Sequence, residues 1–496
     1  MLFVTDAPEE QPADPRDALI RQQAEEIAAL RALVADLREQ LETLAREKSR
    51  NSGNSSLPPS SDDAVPGRGQ PSRQQRRAAE RSARKRGKQP GSPGTSMTWE
   101  VPDRIVDYYP QGACSCGTGL EDAADLGVAR SFQQEEVPAQ VSERVQHDLH
   151  HVKCAGCGKE HAAPRPDGVP AAALSAGPRL RALAVYLVVH QHVPVERCRQ
   201  LLSDVTGADV SAGLVHSCLR KASSLAAGTV ALIRKLIAAS PVAGFDETTL
   251  RAGPAGVKKY VHGAFTGRYS AFWLGTRGLD TMEDAGILPD FAGIAVTDRY
   301  KNYWNARWEH VLGHQACCAH LLRDFEDCAE SHPGAVWPVQ AQRALRGMIR
   351  AWHDAVDQGL SSVPADVLKP LEHEFRHAVL AGLASVPRVP GPKNQVRQKP
   401  GRELLEFCRN RRDDVLRFTK DTSVWPTNNL SERGVRPLKT QQKISGRLTS
   451  DDATQDRLDI RGYLDTARKH GKNAMDILYD LMLGRPWQPP APALSP

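Results

Sequence analysis

No run of apolar residues in this chain is long enough to cross a bilayer without charges, and the opening MLFVTDAPEEQPADPRD is acidic, with no apolar core of leader length. The expectation is a cytoplasmic protein with no membrane partner. Cysteine is sparse. Ten thiols in 496 residues cannot staple a disulfide scaffold, so the close pairs among them point to metal ligation in a reducing compartment. Aromatic residues are 5% of the chain, and neither sign of charge dominates, with 65 Lys plus Arg against 59 Asp plus Glu. A net charge of +6 alone defines no partner. What matters is that the basic residues are unevenly placed, which favours a polyanion. The length allows several domains and ample core, and the fold class read from the pattern below is multidomain α+β.

Residues 19–48 repeat apolar side chains at heptad spacing. Ile20, Ile27, Val34 and Leu41 fall on one seam position, Leu30, Leu37 and Leu44 on the other, and Gln23 is the polar core residue. This predicts a coiled-coil helix that makes the protein a homo-oligomer; an amphipathic helix packed on its own chain has the same outline. The period stops at NSGNSSLPPSSDD. Residues 49–98 then read as a basic, disordered linker, in which Arg76, Arg77, Arg84, Lys85 and Arg86 could grip DNA phosphates without reading sequence.

Residues 99–168 read as a small zinc-finger-like module, or zinc knuckle. Cys114, Cys116, Cys154 and Cys157 could supply four thiolates to one Zn²⁺, with His147, His150, His151 and His161 near enough in sequence to replace one of them. Residues 176–239 are helical. There a helix, a tight turn at Gly207 and a second helix opened by Ser211 draw the outline of a helix-turn-helix, which a hairpin packed on a core would share.

Residues 240–445 alternate strand and helix signals. Pro241 to Phe245 form an apolar strand that delivers Asp246 at its end; KKYVHGAFTG and YSAFWLGT follow as a hairpin, and LDTMEDAGILPDF as a crossover helix. GIAVT is a buried strand delivering Asp298, and HQACCAH reads as one more strand running into the helix LLRDFEDCAES. This is the strand order of a ribonuclease H-like α/β sheet, in which the first and fourth strands can lie side by side. A helical insertion at about 330–420 separates Asp298 from Glu432, which sits in a short helix capped by Thr427 or Asn428 and ended by Pro437. Asp246, Asp298 and Glu432 together would make a cage of hard oxygens suited to Mg²⁺ or Mn²⁺ and to phosphoryl transfer. Nearby Arg299, Lys301, Arg323, Arg433 and Arg436 could hold phosphates, and His320 could orient a neighbouring group or pack in the core. Residues 446–496 give C-terminal helices and a Pro-rich tail expected to be disordered.

NSGNSSLPPSSD, the paired cysteines, FDETTLR, VTDRYKNY, CCAHLLRDFED and TNNLSERGVRPLKTQQKISGR occur here in one order. In this the chain resembles the DDE transposases of the insertion-sequence-sixty-six family over nearly its whole length. The resemblance implies a ribonuclease H-like core with a helical insertion, an N-terminal DNA-binding part, and cut-and-join chemistry on terminal inverted repeats and target DNA in a bacterial, nucleoid-associated protein. It also carries the metal-binding acids onto Asp246, Asp298 and Glu432. A catalytically inactive binder of element ends, or a ribonuclease H-like nuclease that cuts without joining, would share many of these features.

Overall fold

The computed structural model of the protein describes residues 22–34, 37–38, 40–41, 99–136, 142–166, 169, 172, 174–391, 398–399 and 401–490. The 49–98 linker, with Arg76, Arg77, Arg84, Lys85 and Arg86, lies outside them. No described helix is long and apolar enough to cross a membrane.

A two-stranded antiparallel ribbon, β1 (His151–Lys153) and β2 (Glu160–Ala162), carries the second cysteine pair in its turn. The main sheet has β3 (Val242–Leu250), β4 (Lys259–Phe265), β5 (Ser270–Gly275), β6 (Ile294–Thr297) and β7 (Gly313–Ala316), in the order β5-β4-β3-β6-β7. β3, β4 and β5 run antiparallel, whereas β6 lies parallel to β3 and β7 parallel to β6. Alternation along the strands gives the sheet two apolar faces. Val242, Ile294, Val296 and Ala316 enter one core, and Ala243, Phe245, Ala264, Ala271 and Ala295 enter another.

Three bodies of helix cover these faces. Helices α1 (Pro178–Val185), α2 (Val195–Thr206) and α3 (Ala212–Ala238) come before the sheet; the end of α3 lays Ile233 and Ile237 on the second core, together with Met282 of α4 (Leu279–Asp284). The first core is built by α5 (Cys318–Ser331) with the insertion helices α6 (Trp337–Asp357), α7 (Ala365–Ser385), α8 (Arg402–Asn410) and α9 (Arg412–Lys420). α10 (Asn429–Ser445), α11 (Asp451–Lys469) and α12 (Ala474–Met482) complete the chain.

The elements of the helix-turn-helix outline form. Gly207 takes φ 69° after α2, a left-handed turn that suits glycine, and Ser211 caps α3 by accepting the Leu214 N–H at 3.1 Å. α3 is packed along its length. Leu219, Ala222 and Ala226 share a core with Ile460, Tyr463, Leu464 and Ala467 of α11.

Two expectations need correction. α10 does not end at Pro437 but runs through it to Ser445. An interior proline costs about 3 kcal/mol, but Val435 and Leu438 are buried against Phe265 and Phe272, at about 1.5–3 kcal/mol each, which offsets it. The Pro-rich tail also begins ordered. The Trp487 N–H donates to the Tyr463 hydroxyl at 2.9 Å, and the indole packs on the helical core, because a large aromatic side chain gains more by burial than the tail loses in freedom. Residues 491–496 lie outside the described residues.

The N-terminal seam is helical over 22–34 and exposed, with Ile27, Leu30, Val34, Leu37 and Leu41 between 47% and 66% accessible. Deleting residues 1–48 is expected to lower the number of copies per particle measured by light scattering while leaving the core folded, since no described residue of the seam is buried on it. An unchanged number of copies would remove the seam from any role in self-association.

Candidate active site

The parallel register of β3 and β6 pairs Gly244 with Val296. Asp246 and Asp298 each follow that pair by two residues, so both point to the face that carries α10. Asp246 does not terminate its strand as expected. β3 continues against β4 as far as Leu250, while β6 stops at Thr297, so Asp246 sits mid-strand at the notch where its parallel neighbour has ended. Local backbone donors hold both carboxylates. The Glu247 N–H donates to Asp246 Oδ1 at 2.9 Å, and the Tyr300 N–H to Asp298 Oδ1 at 2.8 Å.

Glu432 arrives on the first turn of α10, which is clamped to the sheet. Asn428 occupies the N-cap position, but its side chain does not cap the helix; its Nδ2 donates to the Phe245 carbonyl at 2.7 Å. A Cβ on Gly244 would lie 2.3 Å from Ser431 Oγ and 2.8 Å from Asn428 Oδ1. Helix and strand therefore approach so closely that a side chain at this point would have to push Ser431 or Asn428 aside.

Asp246 feels the acids around it. Burial, then the negative charges of Glu247, Asp298 and Glu432, hold the Asp246 carboxyl well above its ordinary range. Burial and Glu247 likewise push Asp298 up to about 6, against the pull of the Tyr300 N–H and of Arg277 and Arg299. Glu432 Oε1, Asn428 Oδ1 and Ser431 Oγ are buried and make no hydrogen bond among the described residues. Mutually repelling carboxylates beside orphaned oxygens are what a divalent cation would satisfy, and the donors are the hard oxygens that Mg²⁺ or Mn²⁺ takes.

With this geometry in view, the Transposase IS66 family matches residues 173–456, more than half of the 496-residue chain. The chain belongs to this family. Its match contains β3 to β7 and all three acids. A family of unknown function, DUF6444, matches residues 8–98, the seam and the linker. No curated protein matches the chain.

Around the acids of this IS66-family chain, the basic residues divide in two. Arg299 is engaged in a short ion pair with the buried Asp324, and its guanidinium lies 5.6 Å from the Phe407 ring centre. Arg323 donates to the Ala319 carbonyl at 3.2 Å and stands 3.9 Å from Glu432. Arg433, Arg436 and Lys301 are exposed and make no ion pair among the described residues. His320 Nδ1 lies 3.8 Å from Glu432 Oε1, and burial, followed by the Arg323 charge, lowers its pKa to about 4, so the imidazole is neutral at pH 7.

Glu247 is the residue that sequence reasoning passed over. It points to the opposite face of β3 from Asp246, where the Tyr303 hydroxyl and Arg277 Nε each donate to it at 2.7 Å. Arg277 lies 3.9 Å over the Tyr300 ring. Glu247 thus ties the loop that follows Asp298 to the strand that carries Asp246. The available signal was FDETTLR itself, where consecutive acids in an apolar strand must serve opposite faces.

The four knuckle cysteines are exposed and sit in two separate tight turns. In one, the Gly117 N–H donates to the Cys114 carbonyl at 2.8 Å; in the other, the Gly158 N–H donates to the Cys154 carbonyl at 2.9 Å. The Thr118 hydroxyl lowers the Cys116 thiol to about 7, and the backbone N–H groups of Cys157 and Gly156 lower that of Cys154. Among the described residues, neither these four, nor His147, His150, His151 and His161, nor Asp246, Asp298 and Glu432 gather as three donors within 4.8 Å of one another; Cys317, His320 and Glu432 do.

Proposed function

We propose that this protein is a DNA transposase that binds the ends of an insertion sequence and carries out metal-dependent strand cleavage and strand transfer through Asp246, Asp298 and Glu432. The observation that supports the reading is the burial of Asp246 beside Glu247, Asp298 and Glu432, which together raise its carboxyl, although the oxygens of Asp246, Asp298 and Glu432 do not all lie within 4.8 Å of one another. The sheet order β5-β4-β3-β6-β7, with its three antiparallel and two parallel neighbours, supports a ribonuclease H-like core.

Asp246, Asp298 and Glu432 would hold Mg²⁺ or Mn²⁺, which when bound supplies the charge that activates the attacking oxygen and stabilises the leaving one. The chain's own groups set the frame. Asn428 and Gly244 press the start of α10 onto β3 and so fix Glu432, while Glu247 fixes the loop behind Asp298. Arg433, Arg436 and Lys301 contact phosphates of the element end, with Arg323 beside Glu432 and Arg299 braced by Asp324. Water attacks first and leaves a 3′-hydroxyl at the element end; that hydroxyl then attacks a target phosphodiester, whose 3′-oxygen departs. No side chain becomes covalently attached. The seam of residues 19–48 brings copies together, and the 49–98 linker with its arginines adds affinity that does not depend on sequence. Such a protein works on the nucleoid.

The test is a strand-transfer assay with the full chain, Mg²⁺ and candidate terminal repeats. Joined products support the proposal. Cleavage without joining supports a nuclease, and binding without either supports an inactive end-binding protein.

The paired cysteines are proposed to share one Zn²⁺ and to contribute to end recognition. Cys154→Ser is expected to release about one equivalent of zinc and weaken binding to element ends, with chemistry at the acids spared. Elemental analysis showing the same zinc content in wild type and variant would end that reading.

A further inference from the structure

Cys317 and His320 stand beside the last acid, yet the cleavage chemistry proposed above uses neither as a ligand. Cys317 is the N-cap of α5 and His320 lies three residues on, a spacing that puts thiol and imidazole on one side of the helix's first turn. Glu432 approaches from the first turn of α10, and donor atoms of all three lie within 4.8 Å of one another. His320 Nδ1 and Glu432 Oε1 are buried and make no hydrogen bond among the described residues. The Asn428 N–H donates to Cys317 Sγ at 3.1 Å, but burial outweighs it and pushes the thiol up to about 11, so the sulfur is protonated until a cation displaces its proton. The neighbouring Cys318 is turned away toward the Ala316 and Val415 carbonyls.

We propose that Cys317, His320 and Glu432 form a site for a thiophilic divalent cation of the zinc class, and that filling it silences cleavage by withdrawing Glu432 from the carboxylate triad. The inhibitory part rests on the reading of Glu432 given under the proposed function; the site itself does not. One thiolate, one imidazole and one carboxylate are a donor set for Zn²⁺ with a fourth position open to water, and binding releases the thiol proton to solvent. Mg²⁺ prefers oxygen ligands and waters, and Zn²⁺ outbinds Mn²⁺ at nitrogen and sulfur sites. Sharing one carboxylate makes the two occupancies compete. Free zinc would then act as a brake on strand cleavage.

Metal-stripped full-length protein is dialysed against Zn²⁺ and the bound equivalents are counted for wild type, Cys317→Ser, His320→Gln and Cys154→Ser. Cys317→Ser and His320→Gln should each bind one equivalent fewer than wild type, whatever Cys154→Ser does at the knuckle. Two variants of different side chains guard against a folding defect in one. In the cleavage assay with Mg²⁺, Zn²⁺ should inhibit the wild type, and Cys317→Ser should need more than about tenfold as much for the same effect. Unchanged zinc equivalents in both variants overturn the site. A lost equivalent without relief of inhibition overturns the withdrawal of Glu432. A wild type that never cleaves with Mg²⁺ counts against the triad instead, and the dialysis count alone then decides the zinc site.

Discussion

Asp298→Asn is expected to lower metal-dependent cleavage of element-end DNA by roughly a thousandfold or more while leaving DNA binding intact, because an amide cannot supply the anionic oxygen that a hard cation requires. The same substitution should stabilise the metal-free protein. The Asp298 carboxyl is pushed from 3.8 up to about 6, so the folded chain holds its proton more tightly than the unfolded one. That contribution to stability is fully present below about pH 4 and is lost as pH rises through 6. Asparagine carries no such loss. The variant's advantage in thermal unfolding should therefore be near zero at pH 4, grow to pH 6, and stay constant at about 1–3 kcal/mol above it. Asp246→Asn should behave in the same direction, since burial and the neighbouring acids raise its carboxyl too. Added Mg²⁺ should reduce the difference by stabilising only the wild type. A variant that melts lower than wild type at pH 7 without metal would contradict the burial of the Asp298 carboxylate beside Glu247; wild-type cleavage by Asp298→Asn would contradict the triad.

Gly244→Val should be the most damaging change that touches no acid. Its first added carbon would sit 2.3 Å from Ser431 Oγ, a short side chain on the helix with little room to yield. Overpacking of this kind costs about 1–3 kcal/mol, and here relief comes by lifting the start of α10 and Glu432 with it. Cleavage should fall much further than stability, since a displacement of about 1 Å is enough to cost about a hundredfold. Gly244→Ala should be milder, and Ser431→Ala added to it should recover part of both losses by removing the clashing oxygen. If Gly244→Ala cleaves and melts as wild type does, the close clamp between helix and strand is refuted.

The strands were legible because their residues obey the pleat. VAGF, IAVT and the YVHGAF–SAFWLG hairpin are apolar or alternate, and turn residues bound them. The last acid was legible as a residue but not in its setting. Pro437 reads as a stop, yet burial of Val435 and Leu438 carries α10 past it to Ser445. Glu247 was hidden behind Asp246, because a single sequence does not say which face of a buried strand will receive a tyrosine hydroxyl and an arginine from a distant loop. Cys317 and His320 were visible in CCAHLLRDFED, but their proximity to Glu432, more than a hundred residues on, depends on how α10 docks.

By itself the sequence determined the alternation of strands and helices, the presence of the acids Asp246, Asp298 and Glu432, and the heptad period at the N-terminus, because these follow from the local period of side chains and from their chemistry. Only the tertiary structure decided that β3 and β6 pair, that the start of α10 is bonded to β3, and that Cys317 and His320 meet the last acid. The physical reason is that pairing and docking are settled by burial between segments far apart in the chain, a free energy shared among partners that no local window contains.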